Sequence, residues 1–242
     1  MPKFAETSIP AVFQNRVEQF GDRAICAYKK DGAWTDISWK QLNEMVRNLG
    51  YYLINKGVKA GDKVCLFSPN RYEWWVADLA ILSIGAVNVP IYATNSAEES
   101  RYVIDNSDAV MCFTAGKDHT SKIVQIKPKL PNLREIITFE KLEKPIDGVV
   151  EIGAAYKQGA SAPKADEMDK RIREIKKDDM ATIIYTSGTT GNPKGVMLSH
   201  NNFFVNVQQI YNVQPELFKR TDLTFLSFLP LAHSLERTCG YY

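Results

Sequence analysis

The sequence predicts an α/β fold in which a mostly parallel β-sheet is layered with helices. Short apolar runs alternate with segments of helical periodicity through most of the 242 residues. Several helical segments begin at a capping motif and end at a glycine. Strands that alternate with helices in this way are typical of a parallel sheet covered on both faces.

The predicted elements follow from apolar spacing and from capping residues. The predicted helices cover residues 9–20, 39–56, 71–84, 97–106, 117–127 and a segment from 200 onward, and the predicted strands cover 23–28, 34–37, 63–67, 86–89, 109–114, 135–139, 181–185 and 223–229. Ser38 with Gln41 and Ser96 with Glu99 match the capping box, and Ser199 precedes the last helix. Asn70 is expected to cap helix 71–84.

The tract 140–179 differs from the rest of the chain. It is polar, it is rich in Lys, Glu and Asp, and it is interrupted by Pro145 and Pro163. Residues 166–177 are compatible with a solvated helix, and a run of charges is most often a hydrated face. We therefore expect this tract to be a surface excursion within the domain.

Composition excludes several classes of protein. The chain has 45% hydrophobic and 24% charged residues and a net charge of +2, which does not favour nucleic-acid binding. Four widely separated cysteines form neither a zinc motif nor a disulfide framework, so a cytoplasmic location is expected. No apolar stretch is long enough to insert into a bilayer. Peripheral membrane contact and oligomerisation remain compatible with the sequence.

The loop that follows strand 181–185 has the composition of a phosphate site. Its glycines would let backbone N–H groups converge on an anion, and Lys194 adds a positive charge suited to a polyphosphate. The glycines are Gly188, Gly191 and Gly195. Further hydrogen-bond donors are the hydroxyl groups of Thr186, Ser187, Thr189 and Thr190.

A Walker A loop and a hydrophilic hairpin loop are two other interpretations of this segment. The Walker A pattern needs Gly before the Lys and Ser or Thr after it, whereas here Pro193 precedes Lys194 and Gly195 follows it. A hydrophilic hairpin loop would share the composition for local reasons alone.

The order of the residues is more specific than their composition. Tyr-Thr-Ser-Gly-Thr-Thr-Gly-Asn-Pro-Lys-Gly, residues 185–195, resembles the signature loop of the adenylate-forming (AMP-binding) superfamily. Downstream, Leu-Pro-Leu-Ala-His-Ser-Leu-Glu-Arg, residues 229–237, resembles that superfamily's next motif in the form found in long-chain fatty-acyl-CoA ligases. Residues 89–98 have a weaker similarity to the same ligases.

The resemblance implies a fold, a reaction and roles for individual residues. The chain would be the N-terminal portion of the adenylation domain, and the reaction would be ATP-dependent activation of a long-chain fatty acid to an acyl-adenylate, followed by transfer to coenzyme A. Lys194 and His233 would be catalytic, and His233 would position the fatty acid's carboxylate. Thr186 would help to hold Mg²⁺. The triphosphate would be bound by Thr186, Ser187, Gly188, Thr189, Thr190, Gly191 and Lys194.

Other residues and other functions stay open on the sequence alone. His119 and His200 are expected to have local structural roles, and no catalytic role is expected for Glu236 or Arg237. The superfamily's later motifs cannot be placed in residues 1–242, so the chain is expected to be truncated before the rest of the large domain and the mobile C-terminal domain, and to be inactive alone. The alternatives are an adenylating ligase for an aryl, amino or short-chain acid and a non-catalytic nucleotide-binding module.

Overall fold

The computed structural model describes residues 4–186, 192–220 and 223–241. Its strands are β1 (Ala24–Lys30), β2 (Ala33–Ser38), β3 (Lys63–Phe67), β4 (Val87–Ile91), β5 (Met111–Thr114), β6 (Glu135–Thr138), β7 (Val149–Glu151), β8 (Met180–Thr186) and β9 (Lys194–Ser199). Its helices are α1 (Ile9–Phe20), α2 (Trp39–Asn55), α3 (Tyr72–Ser83), α4 (Ala97–Asn106), α5 (Lys117–Ile126), α6 (Ile152–Ser161), α7 (Ala165–Glu174), α8 (His200–Val213), α9 (Pro215–Lys219) and α10 (Ser234–Tyr241).

A seven-stranded sheet with the order β7-β6-β5-β3-β4-β8-β9 forms the centre of the fold. Every neighbouring pair is parallel except β8 and β9, which are antiparallel. β1 and β2 form a separate antiparallel pair. The predicted α/β class with a mostly parallel sheet is confirmed.

Both faces of the sheet are covered, because its central strands present apolar side chains in alternation. On β3, Val64 and Leu66 pack into the core that includes α1, α2, α3, α6 and α7. Cys65 and Phe67 face the opposite way and pack with α4 and α5. Alternate side chains of β3 therefore pack into the two cores on opposite faces of the sheet, as expected for a buried parallel strand.

The predicted capping signals are confirmed at three helices. Ser38 with Gln41 and Ser96 with Glu99 form complete capping boxes at α2 and α4. Ser199 caps α8 and pairs with Asn202 in the same pattern. These contacts satisfy N–H groups of the first turn that have no partner within the helix.

The prediction for Asn70 is wrong. α3 begins after Arg71, which makes no side-chain capping bond, and Arg71 instead forms an ion pair with Glu73 at 2.8 Å. The side chain of Asn70 bonds to the segment around Leu229, as described below. A long-range partner has displaced the local capping contact that the sequence suggested.

The tract 140–179 is more integrated than the sequence predicts. β7 extends the sheet at β6, and α6 and α7 pack against α2. Met168 and Ile172 on α7 are fully buried in the core. Two apolar residues four positions apart in a charged helix are a weak signal, but they are enough to dock one face of it.

The predicted strand at 223–229 is not formed. In the described part of the chain this segment joins no ladder, and Phe225, Leu226 and Phe228 are each 73% exposed. Its apolar, aromatic composition matches a strand, but a strand also requires a neighbour with which to pair. By contrast, β9 was not predicted, and it forms because β8 lies beside it.

Candidate nucleotide site at the carboxyl edge of the sheet

The candidate site is built on the β8–β9 hairpin. β8 runs parallel to β4, so its carboxyl end lies at the same edge of the sheet as those of β3 and β4. Thr186 ends β8 and is paired in register with Lys194, the first residue of β9. Both residues are exposed. The ladder therefore makes a threonine and a lysine cross-strand neighbours at the edge where open α/β sheets bind ligands.

Most of the predicted phosphate loop lies between these two residues. Ser187, Gly188, Thr189, Thr190 and Gly191 lie outside the described residues. Their predicted roles stay predictions. The loop connects β8 to β9, which form a hairpin. A hairpin loop can also bind phosphate, so the two interpretations of the sequence are compatible with each other.

Gly195 has a packing role that the sequence did not reveal. It stands opposite Tyr185 in the antiparallel ladder. A Cβ atom at this position would lie 2.7 Å from Cγ2 of Ile183 and 3.2 Å from Cζ of Tyr185. Glycine at 195 thus lets two large β8 side chains cross over β9 at the base of the loop.

Helix α4 supports the hairpin through two tyrosines. The Tyr102 hydroxyl donates to the Pro193 carbonyl at 3.1 Å, and the Tyr185 hydroxyl donates to Oδ1 of Asn106 at 2.7 Å. The two rings meet edge to face with centroids 6.2 Å apart. Burial raises the pKa of Tyr185 to about 12, so its hydroxyl remains a neutral donor. The residue before Lys194 is thereby tied to the body of the fold.

His233 lies on the turn that precedes α10. Its backbone N–H donates to the Pro230 carbonyl at 2.8 Å, and its ring Nδ1 accepts from the Leu235 N–H at 3.2 Å. In the neutral imidazole this leaves the proton on Nε2, which is a hydrogen-bond donor. The side chain is exposed. The same residue thus caps a helix and presents a donor suited to a carboxylate oxygen.

Arg237, which the sequence did not mark as functional, forms a buried ion pair with Asp78 of α3. Its Nε lies 2.9 Å from Oδ2 and its Nη2 lies 2.6 Å from Oδ1, and both side chains have no exposed surface. Asn88 on β4 also donates to Asp78. Burial raises the pKa of the Asp78 carboxyl, while Arg237 and Asn88 oppose that shift.

The guanidinium of Arg237 also lies over two aromatic rings, 5.8 Å from the centroid of Trp74 and 5.3 Å from that of Phe203. α10 is thereby joined to α3 and to α8. One weak signal could have found this contact: Asp78 interrupts the apolar run 74–82 of α3, and a buried carboxylate needs a partner.

The other two histidines have structural roles, but the role of His200 is not the local one that was expected, because Ser199 caps α8 and His200 bonds to a distant helix. Nε2 of His119 lies 3.2 Å from the Ala93 carbonyl, and its ring meets Phe67 edge to face. His200 is buried, and its Nδ1 accepts from the Ile9 N–H at 3.3 Å. Burial and the nearby charge of Arg237 lower the pKa of His200 to about 4.

Thr186 offers one oxygen donor for a metal ion at this edge of the sheet. Among the described residues no group of three or more His, Cys, Asp or Glu side chains could hold a metal ion. The Thr186 hydroxyl is the sequence-predicted ligand that the structure places there. One hydroxyl fits a magnesium ion that takes most of its ligands from phosphates and water, as Mg²⁺ commonly does.

The fold is an α/β domain with an exposed β-hairpin at the carboxyl edge of a mostly parallel sheet. The model of the AMP-binding enzyme family matches residues 13–242, and the chain belongs to this family.

Curated relatives include a long-chain-fatty-acid–CoA ligase of Mycobacterium bovis, 39% identical over 207 residues, which are 86% of this chain and 33% of the relative. Another is a long-chain-fatty-acid–CoA ligase of Xenopus laevis, 33% identical over 93% of this chain and 31% of its own length. The chain thus spans about a third of the length of these relatives.

Solved structures share the fold at lower identity. A long-chain-fatty-acid–CoA ligase from Archaeoglobus fulgidus matches with a TM-score of 0.74 and 19% identity, over 98% of this chain and 45% of that one. An anthranilate–CoA ligase bound to anthranoyl-AMP matches with a TM-score of 0.70 and 19% identity, over 86% of this chain and 37% of that one.

Within the described residues, no helix combines the length and apolar character needed to cross a membrane.

Proposed function

We propose that the protein containing this chain is a long-chain-fatty-acid–CoA ligase. The observation that carries the proposal is the pairing of Thr186 with Lys194 across the mouth of the β8–β9 hairpin. The names of the curated relatives support the acid and the acceptor.

The proposed reaction has two steps. The fatty acid's carboxylate oxygen attacks the α-phosphorus of ATP, an acyl-adenylate forms, and pyrophosphate leaves. The sulfur of coenzyme A then attacks the acyl carbonyl carbon, AMP leaves, and the thiol proton is lost. Catalysis of such steps rests mainly on positioning and on neutralising charge.

Each described site residue has a role that fits its position. Lys194 would neutralise charge on the β- and γ-phosphates as pyrophosphate forms. Thr186 would offer a hydroxyl oxygen to Mg²⁺, and that ion would supply further neutralisation of the triphosphate. Nε2–H of His233 would hold the carboxylate of the acid. The loop residues 187–191 would contribute backbone N–H groups and hydroxyls to the phosphates.

Two narrower statements belong to the same proposal. Acyl-CoA synthesis would need chain beyond these 242 residues, because the relatives are about three times as long as the part matched here. A reducing, cytoplasmic compartment would suit the buried free thiols of Cys65 and Cys112.

The test is acid-dependent exchange of labelled pyrophosphate into ATP by the full-length protein. Exchange that requires palmitate would support the proposal. Exchange with aryl, amino or short-chain acids but not with palmitate would leave the fold as described and would change the proposed substrate. Nucleotide binding with no exchange on any acid would identify a non-catalytic nucleotide-binding module instead.

The isolated 242-residue chain provides a separate test. We expect it to make no palmitoyl-CoA from palmitate, ATP and coenzyme A. Synthesis by this chain alone would contradict the statement that further segments are needed.

A further inference from the structure

Asn70 makes three hydrogen bonds to the segment that leads to His233. Its Oδ1 accepts from the Leu231 N–H at 2.8 Å. Its Nδ2 donates to the Leu229 carbonyl at 2.7 Å and to the Ser227 hydroxyl oxygen at 3.1 Å. Asn70 comes three residues after the end of β3, so these bonds join the carboxyl edge of the sheet to a segment about 160 positions further along the chain.

The amide of Asn70 bonds on both sides of Pro230, as a peptide group of a neighbouring strand would. Pro230 itself has no N–H to offer. Segment 223–229 joins no ladder in the described part of the chain, so the side chain supplies backbone partners that a strand would otherwise provide. The partners also fix the orientation of the amide, because Leu231 N–H can only donate and the Leu229 carbonyl can only accept.

The next bond in the chain leads to His233. The Pro230 carbonyl, which lies between the two backbone groups bound by Asn70, accepts from the His233 N–H at 2.8 Å. The His233 ring is in turn oriented by the Leu235 N–H. Any displacement of Leu229 to Leu231 therefore moves the imidazole.

We propose that Asn70 is a positioning residue that holds the His233 imidazole at the carboxyl edge of the sheet. This inference rests on the proposed function, in which His233 holds the fatty acid's carboxylate. Asn70 does not cap its own helix, since α3 begins after Arg71 without a side-chain capping bond. Its Oδ1 and Nδ2 atoms bond instead to residues 227–231, which lead to His233.

Two variants separate the two halves of the contact. Asn70→Ala removes both the donor and the acceptor. Asn70→Asp keeps the acceptor for Leu231 N–H but brings a carboxylate oxygen against the Leu229 carbonyl. Asn55 is the matched control, because its Nδ2 donates to the Ala162 carbonyl at 2.8 Å at the end of α2, outside the candidate site. Asn55→Ala and Asn55→Asp carry the same chemical changes.

The first measurement is amide hydrogen exchange in the full-length protein, and it does not need activity. Both Asn70 variants should speed exchange at least tenfold in the peptide that contains Leu231 and His233. The Asn55 variants should leave this peptide unchanged. Unaltered exchange in Asn70→Ala would overturn the inference whatever the protein catalyses.

The second measurement is pyrophosphate exchange with palmitate and ATP varied separately. We expect the Asn70 variants to raise the KM for palmitate at least fivefold while the KM for ATP stays within twofold, and we expect neither to change in the Asn55 variants. A fall in kcat alone, with both KM values unchanged, would indicate loss of folded protein and would overturn the positioning role. If the wild type shows no acid-dependent pyrophosphate exchange, the proposed function is overturned, and with it the role of His233 toward a carboxylate. The amide hydrogen exchange measurement would still decide whether Asn70 holds the segment around Leu231.

Discussion

At the scale of single residues, the structure separates side chains that face the edge of the sheet from side chains that hold them there. Thr186, Lys194 and His233 are exposed at or near that edge. A second group of side chains forms hydrogen bonds to other segments of the fold: Tyr102 to Pro193, Asn70 to Leu231, and Arg237 to Asp78. The first group contains the residues to which the sequence resemblance assigned roles, and the contacts of the second group could not be inferred from local patterns.

Lys194→Ala should weaken nucleotide binding in the full-length protein. Losing one charge-assisted contact to a phosphate costs about 1.5–3 kcal/mol, which corresponds to roughly a tenfold to hundredfold rise in the KM for ATP. Lys30→Ala is the matched control, because Lys30 is an exposed strand residue on the separate β1–β2 hairpin. Equal KM and kcat values for Lys194→Ala and wild type would contradict the role given to Lys194.

Arg237→Met should be strongly destabilising. It leaves the Asp78 carboxylate in a fully buried position without its guanidinium, and breaking a buried pair in this way costs about 3–5 kcal/mol. The comparison variant is Arg16→Met, whose ion pair with Glu6 is solvent-exposed and whose loss should cost about 1 kcal/mol or less. Urea unfolding of both variants measures the difference, and similar midpoints would contradict the assignment.

At the scale of elements, the tract 140–179 shows how packing decides what a polar segment does. α6 crosses α2 at Gly159, where an added Cβ would lie 1.8 Å from the Asn48 carbonyl oxygen and 3.1 Å from the Tyr52 nitrogen. Those atoms are backbone, so they cannot move aside as a side chain could. The glycine is therefore what allows the two helices to approach closely.

Gly159→Ala should lower the free energy of unfolding by about 3 kcal/mol or more, because overpacking against a fixed backbone forces the helices apart. The control variant is Gly153→Ala. Gly153 lies in the same helix, and no atom is within 4 Å of a Cβ added there. That control should be neutral or should stabilise by up to about 1 kcal/mol, since alanine favours helix. Thermal or urea unfolding of the two variants provides the test, and equal effects would show that the close crossing does not limit stability.

At the scale of the whole molecule, the N-terminal helix and the C-terminal helices meet at a buried histidine. His200 at the start of α8 accepts from the Ile9 N–H of α1, and it lies near the Arg237 guanidinium of α10. Protonation of His200 would place a second positive charge in this region. The junction of three helices is therefore sensitive to pH.

Acidification should destabilise the fold through this residue. The folded-state pKa of His200 is lowered from 6.5 to about 4. Well above pH 6.5 the ring is neutral in both states, so it adds no pH dependence there. As the pH falls from 6.5 toward about 4, the unfolded chain takes up a proton before the folded one does, and up to about 3 kcal/mol of stability is lost.

Urea unfolding between pH 7 and 4.5 measures this dependence. His200→Asn keeps an acceptor for the Ile9 N–H and removes the titrating ring, so its stability should fall less steeply over the same range. Parallel curves for the wild type and His200→Asn would assign the acid sensitivity to other groups.

The sequence by itself determined most of the local structure and the family to which the chain belongs. Capping boxes and apolar periodicity fix a helix or strand through contacts within a few residues, so α2, α4 and β3 could be predicted closely. The ordered run at 185–195 identified the family for the same reason, since its residues are adjacent in the chain.

The tertiary structure decided which elements pair and which side chains hold the site. Segment 223–229 has the composition of a strand but lacks a neighbour in the described part of the chain, whereas β9 forms because β8 lies beside it. Asn70 bonds to Leu231 rather than to its own helix, and Arg237 is buried against Asp78, 159 positions away in the chain. These outcomes depend on contacts between distant residues, for which a local sequence pattern carries no signal.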